Sequence, residues 1–151
     1  MDEAIKSYSE IRSFHLFANM SDENFSVLMR RTYLQNFPPQ VELMIEGEQS
    51  DFLHVLLTGS VELSSSWNNR QTTISTITPI STFILAASIK DTPYLMSAKT
   101  LEKSCIALIP SANVRRVFDI DHHLARAVVT ELAQCYSTVV KAQKDLKLRS
   151  S

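Results

Sequence analysis

The chain has 151 residues, with 15 Lys and Arg against 16 Asp and Glu, and 44% of its residues are hydrophobic. These values are typical of a single globular domain and exclude an intrinsically disordered or fibrous chain. The balanced charge gives no basic surface for nucleic acid or anionic membranes. The sequence contains only 2 glycines, far below the average of about 7%, which leaves little room for glycine-lined phosphate loops.

The N-terminus and the cysteines bear on the cellular compartment. Residues 1–6 carry acid where a secretory signal peptide needs base, and no apolar run reaches the length of about 18 residues that a membrane span requires. Cys105 and Cys135 are too few and too far apart to hold zinc or an iron–sulfur cluster within one chain. We therefore expect a cytoplasmic protein with reduced thiols and no membrane partner.

Residues 1–31 have a helical pattern. Apolar residues fall at three-residue steps on one face of a first helix, at Ile5, Tyr8, Ile11 and Phe14. Ser21 is placed to cap a second helix, because Asp22 and Glu23 follow it and suit the positive end of a helix dipole. The sequence therefore predicts a helical lead-in over residues 1–31.

Between residues 32 and 110 the apolar period becomes two, and short alternating runs are separated by turn residues. The predicted strands are 32–37, 41–46, 52–57, 60–66, 70–77, 94–100 and 104–109. Asn68 and Asn69 favour a hairpin turn, because Asn tolerates positive φ, and residues 81–90 suit a short helix. The pattern predicts a mainly β domain over residues 32–110, built as a sandwich, roll or barrel.

Residues 111–151 are predicted to be helical. A long helix runs from His122 to about Leu148, because that stretch has no Gly or Pro. At about 1.5 Å per residue it is about 40 Å long, more than one side of this domain can cover. An a/d heptad seam follows it through Ala125, Val128, Leu132, Cys135, Val139, Ala142 and Leu146. We expect the seam to form a homodimer interface; packing on the chain's own β domain is the alternative.

The order of these elements, together with five motifs, resembles the CRP/FNR family of bacterial transcription regulators. The motifs lie at residues 15–21, 41–48, 51–61, 97–105 and 144–151. The resemblance implies a double-stranded β-helix (a jelly roll or β-roll) with N-terminal helices and a long C-terminal dimerisation helix. It further implies a non-enzymatic sensor domain that binds a small-molecule effector and reaches DNA only through a C-terminal domain outside this chain.

The two glycines have a place in this resemblance. Gly47 and Gly59 stand 12 residues apart and flank the predicted strand 52–57. They are expected to be turn glycines of the roll, at positions where the backbone needs a positive φ or a close approach.

The nucleotide-binding members of the family carry a Gly-Glu pair on a short helix and an Arg-Ser/Thr-Ala sequence about ten residues later. The glycine lets backbone N–H groups reach the cyclic phosphate, the arginine neutralises it, and the glutamate accepts from the ribose. Here the matching positions are Leu85, Ala86 and Met96, with only Ser97 retained, and Val139 replaces a hydroxyl residue that reads the base. Because a phosphate would be an unpaired charge in an apolar cavity, we do not expect cAMP or cGMP to bind.

These replacements predict an apolar effector pocket that Phe83 also lines. Residues 82–94 are similar to haem-dependent nitric-oxide sensors of the family, so haem is an alternative, with His54 and His122 as candidate axial ligands. An iron–sulfur cluster is not expected, because no cysteine precedes Cys105. A dimeric interaction module without a ligand is a second alternative, and the sequence does not identify the effector.

Overall fold

The computed structural model describes residues 2–150. Two helices, α1 (Asp2–Ser13) and α2 (Asp22–Leu28), come first. The strands are β1 (Tyr33–Phe37), β2 (Glu42–Met44), β3 (Phe52–Thr58), β4 (Val61–Trp67), β5 (Arg70–Ile77), β6 (Ser81–Phe83), β7 (Ser97–Thr100) and β8 (Ser104–Pro110). The remaining helices are α3 (Leu85–Lys90), α4 (Ser111–Ile120) and α5 (His122–Ser150).

The strands form two four-stranded antiparallel sheets. The first has the order β1-β8-β3-β6, and the second has the order β2-β7-β4-β5. Each sheet therefore combines early and late strands, and the chain crosses repeatedly from one sheet to the other. The predicted fold class is confirmed: a mainly β roll with N-terminal helices and a long C-terminal helix.

Two apolar cores lie on the two faces of the first sheet, because side chains along a strand alternate between faces. Leu53, Val55 and Leu57 of β3 face the helices and belong to what we call the outer core, together with residues of α1, α2, α4 and α5. The inner core lies between the sheets and consists of Met44, Leu56, Val61, Leu63, Phe83, Ala87, Tyr94, Ala98, Ile106 and Leu108.

Gly47, Gly59, Asn68 and Asn69 are among the turn residues that have a positive φ. Gly47 has a φ of 92° and Gly59 a φ of 100°. Asn68 and Asn69, with φ values of 51° and 64°, form the tight turn between β4 and β5, as their residue types predict. A Cβ on Gly59 would meet the side chain of Ser104 and would lie 2.7 Å from a backbone oxygen, whereas a Cβ on Gly47 would have open space.

Two side-chain caps fix the starts of helices. The Asn24 backbone N–H donates to Ser21 Oγ (3.1 Å), which confirms the predicted cap of α2. At the start of α5, the Leu124 backbone N–H donates to Asp121 Oδ1 (2.9 Å). The other carboxylate oxygen of Asp121 accepts from Asn24 Nδ2 (2.8 Å). Asp121 therefore connects the beginnings of α2 and α5.

The elements differ from the predicted ones in three places. Strand β6 occupies the first residues of a stretch, 81–90, that was predicted to be a short helix, and β7 begins at Ser97 rather than at residue 94. The first helix ends at Ser13, and its N-terminal apolar residues lie outside the core, with Ile5 59% and Tyr8 46% exposed. Only the C-terminal end of the predicted apolar face is buried, because α1 meets the outer core there.

The heptad seam on α5 does not lie on a free face at its N-terminal end. Val128 is 1% exposed in the outer core of its own chain, and Leu132 packs against the same core. Over this stretch the seam therefore packs on the chain's own domain, which was the alternative to a dimer interface. Ala125 is half-buried. The side chains of Cys135, Val139, Ala142 and Leu146 lie outside the part that the structure describes.

The exposed apolar residues of α5 are displaced from that seam. Val129 is 60% and Tyr136 is 71% exposed. Ala133 is exposed and Val140 is half-buried. At about 100° per residue, these positions form one stripe that is rotated away from Val128 and Leu132. Of the helices in residues 2–150, none has the length and apolar character needed to cross a membrane.

Candidate effector site in the β-roll

The candidate site is built on the 83–97 segment, which runs from the end of β6 through α3 to the start of β7. Ser50 fixes its middle, because the Ser50 hydroxyl lies 3.0 Å from the Ala87 carbonyl oxygen and 2.6 Å from that of Thr92. The Tyr94 N–H donates to the Glu48 carbonyl (2.9 Å), and the Gly47 N–H donates to the Tyr94 carbonyl (2.8 Å). The segment is thus held against the turn between β2 and β3.

The residue before α3 has an unusual backbone. Ile84 has a φ of 55°, in the left-handed region, whereas Leu85 begins the helix with ordinary geometry. A β-branched residue is rare at such a φ, and glycine is the residue that adopts it readily. The resemblance placed the family's glycine at Leu85, and the backbone instead puts the glycine-like position at Ile84. A match of the Gly-Glu pair to Ile84 and Leu85, one residue earlier, would place the glycine at this left-handed position.

The predicted pocket residues do not all face one space. Phe83 is buried in the inner core, and Met96 packs against that core. Leu85 is buried in the outer core, on the other side of the sheet, because α3 turns this side chain toward the helices. Ala86 is half-buried. The Ser97 hydroxyl accepts from the Glu46 N–H (3.0 Å), so it is used by the protein backbone. The Val139 side chain is outside the described part of the chain.

The arginine that contacts the segment lies outside the roll. No arginine lies between Arg70 and Arg115 in the sequence. Arg115, on α4, donates to the Ser88 carbonyl (3.2 Å) and lies 3.5 Å from Asp91 Oδ1. Its guanidinium therefore stabilises the C-terminal end of α3. The inner face of the segment presents Phe83 and Met96 where a phosphate would need positive charge.

The ring of His54 lies inside the roll, beside Phe83 and Tyr94 of this segment. His54, on β3, is 5% exposed, and its ring centroid is 5.4 Å from that of Phe83 and 6.5 Å from that of Tyr94. Burial lowers the pKa of His54 to about 4, an effect that the Phe52 backbone carbonyl partly opposes. Among the described residues, His54 Nδ1 has no hydrogen-bond partner.

Tyr94 is a site residue that the sequence analysis did not identify. Its hydroxyl donates to the Phe52 carbonyl (3.0 Å), and burial raises the pKa of this hydroxyl. The only sequence signal was an aromatic residue directly after Pro93 in an otherwise polar stretch. The tyrosine was instead assigned to a strand.

The histidines considered as haem ligands do not lie together. His54 is inside the roll, whereas His122 is exposed at the first residue of α5, where its ring centroid lies 4.1 Å from that of His123. Within residues 2–150, no three side chains of His, Cys, Asp or Glu are grouped as metal ligands. The ring of His54 is also covered by Phe83 and Tyr94. These residues do not fit a haem held by two axial histidines.

The fold has close counterparts among solved structures. The sensor domain of the transcriptional regulator DNR from Pseudomonas aeruginosa matches with a TM-score of 0.75 and 21% identity, covering 84% of this chain and 91% of that chain. Catabolite Activator Protein from Thermus thermophilus matches with a TM-score of 0.72 and 16% identity, covering 91% and 63%. The regulatory domain of Toxoplasma gondii PKA, crystallised with cAMP, matches with a TM-score of 0.69 and 14% identity, covering 78% and 46%.

Sequence comparisons give the family. Curated protein sequences provide no match. The profile of the cyclic nucleotide-binding domain matches residues 34–121, which is more than half of the chain and includes both sheets, α3 and α4. The chain therefore belongs to the cyclic nucleotide-binding domain family.

Proposed function

We propose that this chain is the effector-sensing and dimerisation part of a CRP/FNR-like transcription regulator, and that its effector is a mainly apolar molecule rather than cAMP. One observation carries the proposal. The 83–97 segment keeps the strand–helix–strand path of the family, yet its inner face presents Phe83 and Met96. A cyclic phosphate there would be a buried charge without a partner, which costs several kcal/mol.

The sensing role is supported by the solved structures, which are regulatory domains. One of them is the sensor domain of a transcriptional regulator, and the chain spans 63% of the length of Catabolite Activator Protein. In this proposal the chain is not an enzyme, and DNA recognition lies outside its 151 residues. Effector binding in the roll changes the position of α5, which transmits the signal.

We propose that the chain dimerises through the exposed stripe of α5, which consists of Val129, Ala133, Tyr136 and Val140, rather than through the predicted heptad seam. A groove of about 550 Å³ lies along this stripe, lined by Val129, Thr130, Ala133, Gln134 and Ser137. The helix has 29 residues and is about 43 Å long at about 1.5 Å per residue. Val129 and Tyr136 are exposed and Val140 is half-buried, so the stripe offers a second copy of α5 an apolar surface.

The experiment for the sensing role is to identify what the purified protein carries. Small molecules extracted from the wild type are compared by mass spectrometry with those from Met96→Lys, which introduces a charge at the edge of the inner core. We expect the wild type to release a neutral, apolar molecule that the variant lacks. A cyclic nucleotide in the wild-type extract, or identical extracts from the two proteins, would contradict the proposal and favour the ligand-free interaction module.

A further inference from the structure

The inner face of β3 carries a buried polar side chain, His54. On β3, Phe52 and Leu56 face the inner core, and His54 lies between them on the same face. The side chain of His54 is buried, and its Nδ1 has no hydrogen-bond partner among the residues that the structure describes. Buried ring nitrogens are usually paired, because leaving one unpaired is unfavourable.

The position of this nitrogen relates it to the candidate site. His54 pairs with Phe83 in the register of β3 and β6, and the two rings are in contact. On its other side lies Tyr94, two residues before Met96. His54 therefore touches both ends of the 83–97 segment, where the family's ligand contacts are expected.

The chemistry of the ring limits what could pair with it. The lowered pKa of about 4 keeps the imidazole neutral at pH 7, so Nδ1 is a donor in one tautomer and an acceptor in the other. A hydroxyl group can serve either tautomer, because it both donates and accepts. The rest of the surroundings is apolar, with the small side chains of Ala87 and Ala98 in the same core. A charged ligand would have no counterion there.

Taking the proposed effector site as given, we infer that His54 is the residue that recognises the effector, by a hydrogen bond between Nδ1 and the hydroxyl group of a neutral, mainly apolar molecule. Phe83 and Tyr94 contact the apolar part. The inference adds a chemical class to the proposed function: an alcohol or phenol, rather than a phosphate or a hydrocarbon.

The test uses phenol and toluene, which have nearly the same shape but differ in the hydroxyl group. The wild type, His54→Phe and His54→Asn are compared by thermal unfolding with each compound. Phenol should raise the melting temperature of the wild type more than toluene does, and it should shift the His54 Nδ1 resonance in nitrogen-15 spectra. In H54F the two compounds should act equally, whereas H54N, which keeps a polar atom near the Nδ1 position, should retain part of the preference for phenol.

A further readout needs no ligand. Because H54F removes the unpaired nitrogen and keeps an aromatic ring, its melting temperature without ligand should be equal to or above that of the wild type. An equal response of the wild type to phenol and toluene would overturn the role of His54 while leaving an apolar site in the roll. No response to either compound would overturn the proposed effector site and this inference together. The wild-type comparison needs no variant, so it stands even if H54F fails to fold.

Discussion

Gly59, in the turn between β3 and β4, has a φ of 100° and no space for a side chain, since a Cβ would meet Ser104. Gly47 has a similar φ of 92° but open space around it. Substituting each glycine by alanine therefore separates two contributions to the free energy of unfolding: the strained backbone conformation, which both positions share, and the steric clash, which occurs at Gly59.

We therefore expect Gly59→Ala to lower the free energy of unfolding by about 3 kcal/mol and Gly47→Ala by about 1 kcal/mol. Urea unfolding of the two variants and the wild type measures both values. Equal losses for the two substitutions would show that close packing against Ser104 does not contribute at Gly59.

Asp121 is a second residue with a defined role, because its carboxylate caps α5 and binds α2. Burial disfavours its charged form, but hydrogen bonds from the Asn24 side chain and from the Leu124, Ser21 and His123 backbones outweigh burial and lower its pKa below the usual range of an aspartate. Because the pKa is lower in the folded chain, the carboxylate stabilises the fold above about pH 4, and this contribution is lost as the pH falls through the lowered pKa.

Asp121→Asn should therefore cost about 1–2 kcal/mol at pH 7, and the difference from the wild type should shrink below about pH 4. Chemical unfolding across this pH range gives the comparison. Asp119→Asn, at an exposed position two residues earlier on α4, is the control and should show little effect. A D121N deficit that stays constant down to pH 3 would rule out the carboxylate charge as its cause.

At the scale of elements, the pattern of short alternating runs between turn residues predicted most strands. It missed β6, since three residues are too few to show a period. It extended β7 into Tyr94, whose backbone instead bonds the turn at Gly47 and Glu48. Such a bond depends on contacts distant in the chain, and no local pattern signals it.

The candidate site was predicted only in part for a related reason. A left-handed residue is usually signalled by Gly or Asn, and Ile84 gives no such signal, so the sequence does not show the left-handed position before α3. On α5, a heptad pattern shows which side chains avoid water but not whether the same chain or a partner covers them. Val128 proved to be covered by its own chain.

The dimer proposal has a direct test on α5. A charge at the exposed stripe, in Val129→Glu or Tyr136→Glu, should weaken the dimer by at least about 100-fold, because the stripe is apolar and would bury the charge. Light scattering with size-exclusion chromatography should give twice 17.1 kDa for the wild type and a monomer for the variants. Lys141→Glu, which lies outside the stripe, should remain dimeric. A monomeric wild type at micromolar concentration would contradict the proposal.

For the whole molecule, the fold agrees with cyclic nucleotide binding, whereas the residues at the candidate site do not. The chain belongs to the cyclic nucleotide-binding domain family, and the two sheets, α3 and the helices after the roll are all present. The polar groups that would hold a cyclic phosphate are absent from the matching positions in the sequence, whether the match is read at Leu85 and Ala86 or at Ile84 and Leu85. We therefore propose that the scaffold is retained while its ligand chemistry differs.

Isothermal titration of the purified protein with cAMP tests this account most directly. The account predicts no saturable heat up to millimolar cAMP, a limit that corresponds to a binding free energy weaker than about −4 kcal/mol. Saturable binding with a micromolar dissociation constant would contradict it, because such affinity requires a partner for the phosphate that Phe83 and Met96 cannot provide.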